Sequence, residues 1–107
     1  MSPAILLVIA IVSEVIGTVL LRLSDGMSKL VPSVGMLAAY GVSVYMLALV
    51  LKHFEIGFTY AVWSGVGTAA IAVIGFAAWG EPMGALKILS ITAVIAGVIG
   101  LNISAAH

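Results

Sequence analysis

The chemistry this chain can do turns on one carboxyl. Glu14 stands alone inside an otherwise uncharged apolar run from Pro3 to Leu21. An acidic side chain at mid-membrane costs about 2.5–3.5 kcal/mol on insertion scales, so something must compensate it. Arg22, the nearest cation along the chain, is about 12 Å further up a helix and extends more readily to the interface than back to Glu14. The simplest compensation is a proton. A membrane-embedded carboxyl that takes up and releases a proton can exchange it for a cation. The bland alternative is a glutamate hydrogen-bonded to a neighbouring helix for packing alone.

The types and spacing of other residues suggest what that cation is. Ala10, Gly17, Thr18 and Leu21 share the helical face of Glu14. Ala, Gly and Thr are small enough to let a bulky guest reach the carboxyl, and equally suited to close helix packing. Tyr60, Trp63, Ser64 and Gly67 fall on one face of a later run. Rings opposite a carboxylate suit a lipophilic cation, through ring quadrupoles and apolar contact. Tyr60, near the start of its run, also fits an aromatic belt at the membrane surface, and Trp79 at the far end fits a belt better than a site. Tyr40, Ser43, Val44 and Leu47 share a third face, and the Tyr40 and Ser43 hydroxyls need partners, for which Glu14 is a candidate. Gly65-Val66-Gly67 reads as a hinge in mid-helix or as a close-packing notch. Met36 and Met46 are adaptable fillers and equally ordinary lipid-facing residues.

The elements that carry these residues follow from composition. The chain has 107 residues, 64% hydrophobic and 7% charged, with four acidic and four basic side chains and no net charge. That is too little polar surface for a water-soluble domain, which carries roughly a quarter charged residues. Neutrality also argues against binding nucleic acid. Without cysteine there are no disulfides, thiolate metal sites or cysteine nucleophiles. Leu30–Leu51, Ile56–Gly80 and Ile88–His107 carry no formal charge, and each is long enough for a core of about 30 Å. With Pro3–Leu21 they predict an all-α membrane protein: one transmembrane domain over residues 1–107, with helices over 3–21, 31–51, 57–79 and 86–105. Pro32 belongs in a first helical turn, where its missing N–H costs nothing. The polar turn Arg22–Leu30 and the short links Lys52–Ile56 and Gly80–Leu86 force an up-down-up-down bundle. Residues 1–13 lack the basic start of a signal peptide.

Arg22, Lys29 and Lys87 lie on one side, and Lys52 and the terminal amine on the other. So weak a bias leaves insertion in both orientations open. Four short helices can pack together but scarcely enclose a solvated path as well, so transport requires an oligomer. The last span has no aromatic residue. Its small residues Ser90, Ala93, Gly97, Gly100 and Ser104 recur as a heptad-like seam, read as an oligomerisation face, with packing inside its own bundle as the alternative. His53 and His107 form no ligand cluster, and Asp25, Glu55 and Glu81 are loop charges. No metal site, cofactor-binding motif or catalytic constellation is expected, so the chain does not read as an enzyme.

At this point the chain resembles the small multidrug resistance transporters. The resemblance rests on four spans in this length, on Ser13-Glu14-Val15-Ile16-Gly17-Thr18, on Pro32-Ser33-Val34-Gly35, and on Tyr60-Ala61-Val62-Trp63-Ser64-Gly65-Val66-Gly67. It implies a proton-coupled antiporter of the bacterial inner membrane, built as an antiparallel homodimer with dual topology. Two Glu14 carboxyls would hold protons or one cationic substrate, not both. Tyr60 and Trp63 would line the substrate, Tyr40 and Ser43 would act on the Glu14 region, and Gly65 and Gly67 would be the kink. Ile16-Gly17, Tyr40 and Trp63-Ser64-Gly65 resemble the subtype exporting quaternary ammonium and polyaromatic cations rather than the guanidinium exporters. Ser90 replaces a frequent glycine, Val31 a frequent tryptophan anchor, Val44 a common aromatic residue and Arg22 a frequent lysine. Of these, Val44 is expected to widen or reshape the pocket. Outside that reading stand a rotary-ATPase proteolipid, disfavoured by four spans with the acid on the first, and a non-transporting membrane subunit.

Overall fold

The computed structural model describes residues 1–105, so the expectations placed on His107 lie outside the described residues. Four helices follow in order: α1 (Pro3–Leu23), α2 (Leu30–Val50), α3 (Ile56–Trp79) and α4 (Ala85–Ala105). All four contain stretches long and apolar enough to cross a membrane.

Local chemistry sets their ends. The Ser2 hydroxyl accepts from the Ile5 amide at 3.3 Å and Pro3 opens α1, a standard start. The helix continues past the expected Leu21 because Arg22 and Leu23 are good helix formers and a cation is favoured in a last turn. Buried Ser24 then stops it. Its hydroxyl donates to Leu21 O at 2.6 Å and accepts from the Met27 amide at 3.0 Å. Asp25, Gly26 and Met27 all take positive φ, which reverses the chain. Pro32 falls in the first turn of α2, as expected. Gly80 (φ 64°) closes α3 in a left-handed cap, with the Gly80 and Glu81 amides donating to Phe76 O and Gly75 O.

α1 packs most extensively on α2 and also on α3, while α4 packs on α3 at the edge. The result is a slab of 46 × 35 × 18 Å, less than two helix diameters thick. Its interior is unlike that of a water-soluble protein. Buried positions include Ser24, Ser33, Ser43 and Thr59 alongside Leu7, Ala10, Met36, Val50 and Ala69, while many large aliphatic side chains face outward. In lipid, close approach of small residues and interhelical hydrogen bonds hold helices together, because lipid solvates leucine as well as a core does.

Candidate functional site

The face of α1 carrying Glu14 is pressed against two helices at once. Towards α2, small residues bring the backbones together. The Ser43 hydroxyl donates to Ala10 O at 2.7 Å, and Ala10 is fully buried. Gly17 lies beneath the Tyr40 ring: a β-carbon there would come within 2.6 Å of ring carbon Cδ1. The Tyr40 hydroxyl meets Thr18 Oγ1 at 2.7 Å. In the protomer, Ala10 and Gly17 are therefore both covered by α2. The partners of the Tyr40 and Ser43 hydroxyls are Thr18 and a backbone carbonyl, not the Glu14 carboxyl.

Towards α3, the Glu14 carboxyl occupies the space left by the missing side chain of Gly67, where an added β-carbon would overlap Oε2. Thr18 Oγ1 lies 3.0 Å from Glu14 O and 3.4 Å from Oε1. Oε2 is buried and has no hydrogen-bond partner among the described residues. An ionised carboxylate held this way is short of solvation, and a proton or a cation supplies what is missing.

Trp63 completes the group. Its indole N–H donates to the Ser43 hydroxyl at 3.2 Å, which orients the ring. Glu14, Tyr40, Ser43, Val44 and Trp63 line one cavity of about 290 Å³. Thus α1, α2 and α3 contribute one acid, two hydroxyls, one aliphatic wall and one indole to a single concavity.

The other expected residues lie elsewhere. Tyr60 is 63% exposed, stacks obliquely on Trp63 with 5.7 Å between ring centres, and lines a separate groove with Leu47 and Thr59. Ser64 donates to Tyr60 O at 2.7 Å, a bond within its own helix. Gly65 faces α4, where Val98 and Val94 would stand 3.0 and 3.3 Å from an added β-carbon. α3 is one unbroken helix from Ile56 to Trp79, and both glycines serve as packing notches in it. Ser90, Ala93, Gly97, Gly100 and Ser104 are all exposed, and nothing lies within 4 Å of a β-carbon added to Gly97 or Gly100.

One cluster was not legible in advance. The Arg22 guanidinium lies 4.6 Å from the centre of the Trp79 ring and 3.9 Å from a Glu81 carboxylate oxygen. The left-handed Gly80 turns the chain back, so that the Glu81 carboxylate occupies the space beside Gly75. Thr18, Val19, Arg22, Ile71, Ile74, Gly75, Trp79 and Glu81 line a crevice of about 70 Å³ between α1 and α3. The usable signal was the Trp79-Gly80-Glu81 run, in which a helix-ending glycine folds a charge back over the last turn.

Comparison with known proteins gives the family. The chain matches the profile of the Small Multidrug Resistance protein family over residues 3–94. It is 41% identical over 103 residues to quaternary ammonium compound-resistance protein QacE of Escherichia coli, covering 96% of this chain and 94% of that one. It is 39% identical over 101 residues to QacC of Staphylococcus aureus, a protein of the same descriptive name, with 94% of each chain covered. It is 40% identical over 107 residues to multidrug resistance protein EbrB of Bacillus subtilis, spanning all of this chain and 92% of EbrB. These relatives are named for resistance, not for a reaction. Their kinship and four apolar helices make this a multi-pass protein of the bacterial inner (plasma) membrane. By profile and by identity along nearly its whole length, the chain belongs to the small multidrug resistance family.

Proposed function

We propose that this protein is a proton-coupled antiporter exporting lipophilic and quaternary ammonium cations, in which protons and substrate compete for Glu14 in both protomers of an antiparallel homodimer. The observation that carries the reading is the buried, unpartnered Oε2 of Glu14 at the wall of a cavity shared with Trp63. The names of the relatives give the substrate class. Proton and cation each neutralise the same carboxylate in a poorly solvated place, so binding one removes the reason to bind the other. That mutual exclusion is the coupling.

Trp63 contributes its ring face to the cation, held in place by the Ser43 hydroxyl. Tyr40 and Thr18 orient the carboxyl. The dimensions support the dimer: a slab 18 Å thick is too thin to surround a solvated path, and a second copy would complete it. The exposed Ser90–Ser104 seam supplies the contact, and Tyr60 joins the substrate on assembly. Gly65 and Gly67, which are packing notches while α3 is straight, are where it bends when access changes sides.

The test is tetraphenylphosphonium affinity across pH, for wild type and Glu14→Gln. Below the titration of Glu14, wild-type affinity rises about tenfold per pH unit for each proton displaced, then levels off once the carboxyl is ionised. Glu14→Gln binds about a hundredfold more weakly or worse, with no such slope. Affinity that ignores pH, or survives Glu14→Gln, overturns the reading.

A further inference from the structure

We infer that protons reach Glu14 by a route separate from the one that admits substrate: the narrow crevice between α1 and α3 that runs from Thr18 to the Arg22–Glu81 pair. This rests on the proposed competition at Glu14 and adds a path to it.

Two hollows approach the carboxyl from different directions. The wider, of about 290 Å³, has Trp63 and Val44 in its wall and approaches the scale of ordinary ligand pockets. The narrower, of about 70 Å³, begins one helical turn above Glu14 and ends among charges at the loop face. It is large enough for a few water molecules and far too small for a drug-sized cation. Thr18 links the crevice to Glu14, which lines the wide cavity. Its Oγ1 is 3.4 Å from Glu14 Oε1, and its side chain lines the crevice.

The register of the helices puts the crevice in line with the carboxyl. Glu14, Thr18 and Arg22 follow at successive turns of α1, and Gly67, Ile71 and Gly75 at matching turns of α3. Gly67 admits the Glu14 carboxyl, and Gly75 admits that of Glu81. Between these two notches lies the crevice. At its outer end the Arg22–Glu81 pair is formally neutral, so it sets no net charge barrier to a proton, and both side chains are about half accessible at the mouth. A proton leaving Glu14 passes to Thr18 Oγ1 as the Thr18 proton passes to water in the crevice, and the hydroxyl ends as it began. The groups facing Glu14 are Thr18 on its own helix, Tyr40 from α2, and Gly67 and Trp63 from α3. Tyr40 is the only titratable side chain among them, and its hydroxyl is engaged with Thr18.

The experiment is a rapid pH jump on the purified dimer without substrate, with proton uptake followed by a dye. Ile74→Phe fills the crevice from α3 and touches nothing in the wide cavity. Uptake in this variant slows about tenfold, while tetraphenylphosphonium affinity at equilibrium stays within about twofold of wild type. Val44→Phe, which narrows the wide cavity, changes affinity and leaves uptake fast. Uptake in Ile74→Phe at the wild-type rate overturns the route. Wild-type uptake with the same amplitude in Glu14→Gln instead overturns the competition on which it rests. A second measurement avoids overpacking. The chain has no cysteine, so Ile74→Cys offers a single thiol, and aqueous silver ion is small enough to reach it through the crevice. It reacts at least about tenfold faster than Ile16→Cys on the outer face of α1, and equal, slow rates count against a hydrated crevice.

Discussion

α3 and α4 are both glycine-bearing spans of similar length, and they use their glycines in opposite ways. On α3, the three glycines beyond its first turn are each filled by a side chain of the same protomer: Gly65 by Val94 and Val98, Gly67 by Glu14, Gly75 by Glu81; only Gly57, at the helix start, meets nothing. On α4, Gly97 and Gly100 face open space. One helix has spent its inner glycines on this chain, two of those three on carboxylates. The glycines of the other meet nothing in the protomer. In lipid, where apolar area alone drives no helix association, such a smooth exposed seam is what a second helix can approach closely. Under the proposed function, the difference separates the part that builds a site from the part that builds an assembly.

Four substitutions test that division, in falling order of effect. Gly97→Leu should leave the protomer intact, since its side chain meets nothing there and helix propensity improves. It should abolish the dimer and reduce transport to background, checked by cross-linking and vesicle uptake. A dimer unchanged by Gly97→Leu breaks the comparison. Gly67→Ala sends a methyl group into the Glu14 carboxyl, the mobile end of a flexible side chain. The fold should survive while cation affinity falls about tenfold, or about 1.4 kcal/mol, as calorimetric titration can measure. Ser43→Ala removes the bridge between Ala10 O and the Trp63 indole. At about 1 kcal/mol per hydrogen bond, it should weaken substrate binding by a few-fold and free the Trp63 ring, visible in its fluorescence. Arg22→Met breaks a long, exposed ion pair whose partners are each about half accessible. Its effect on thermal stability should be the smallest, within about 0.2–1 kcal/mol.

Much of the fold was legible because membrane spans obey a coarse rule of length and charge. The uncharged runs place all four helices, and only the end of α1 moves appreciably, where Ser24 rather than Arg22 stops the helix. The grouping of Glu14, Tyr40, Ser43 and Trp63 also follows from helical spacing on three separate faces. Sequence could not rank residues that share a face. Ala10 and Gly17 sit on the Glu14 face, yet are covered by Ser43 and Tyr40, because which neighbour fills a small residue's space depends on how the helices are rotated and offset. Tyr60 sits one turn from Trp63 but lies outside the cavity of the single protomer. The Arg22–Trp79–Glu81 cluster was missed for a related reason. Its partners are far apart in sequence and meet only because α1 and α3 run in the same direction and Gly80 turns the chain back.

The central claim is that one carboxyl serves both proton and cation, and proton release tests it most directly. The purified protein is held in weak buffer at a pH where Glu14 is half protonated, tetraphenylphosphonium is added, and the pH is followed beside Glu14→Gln. Release by wild type and silence from Glu14→Gln is the predicted result. Binding of the cation with no Glu14-dependent release contradicts it.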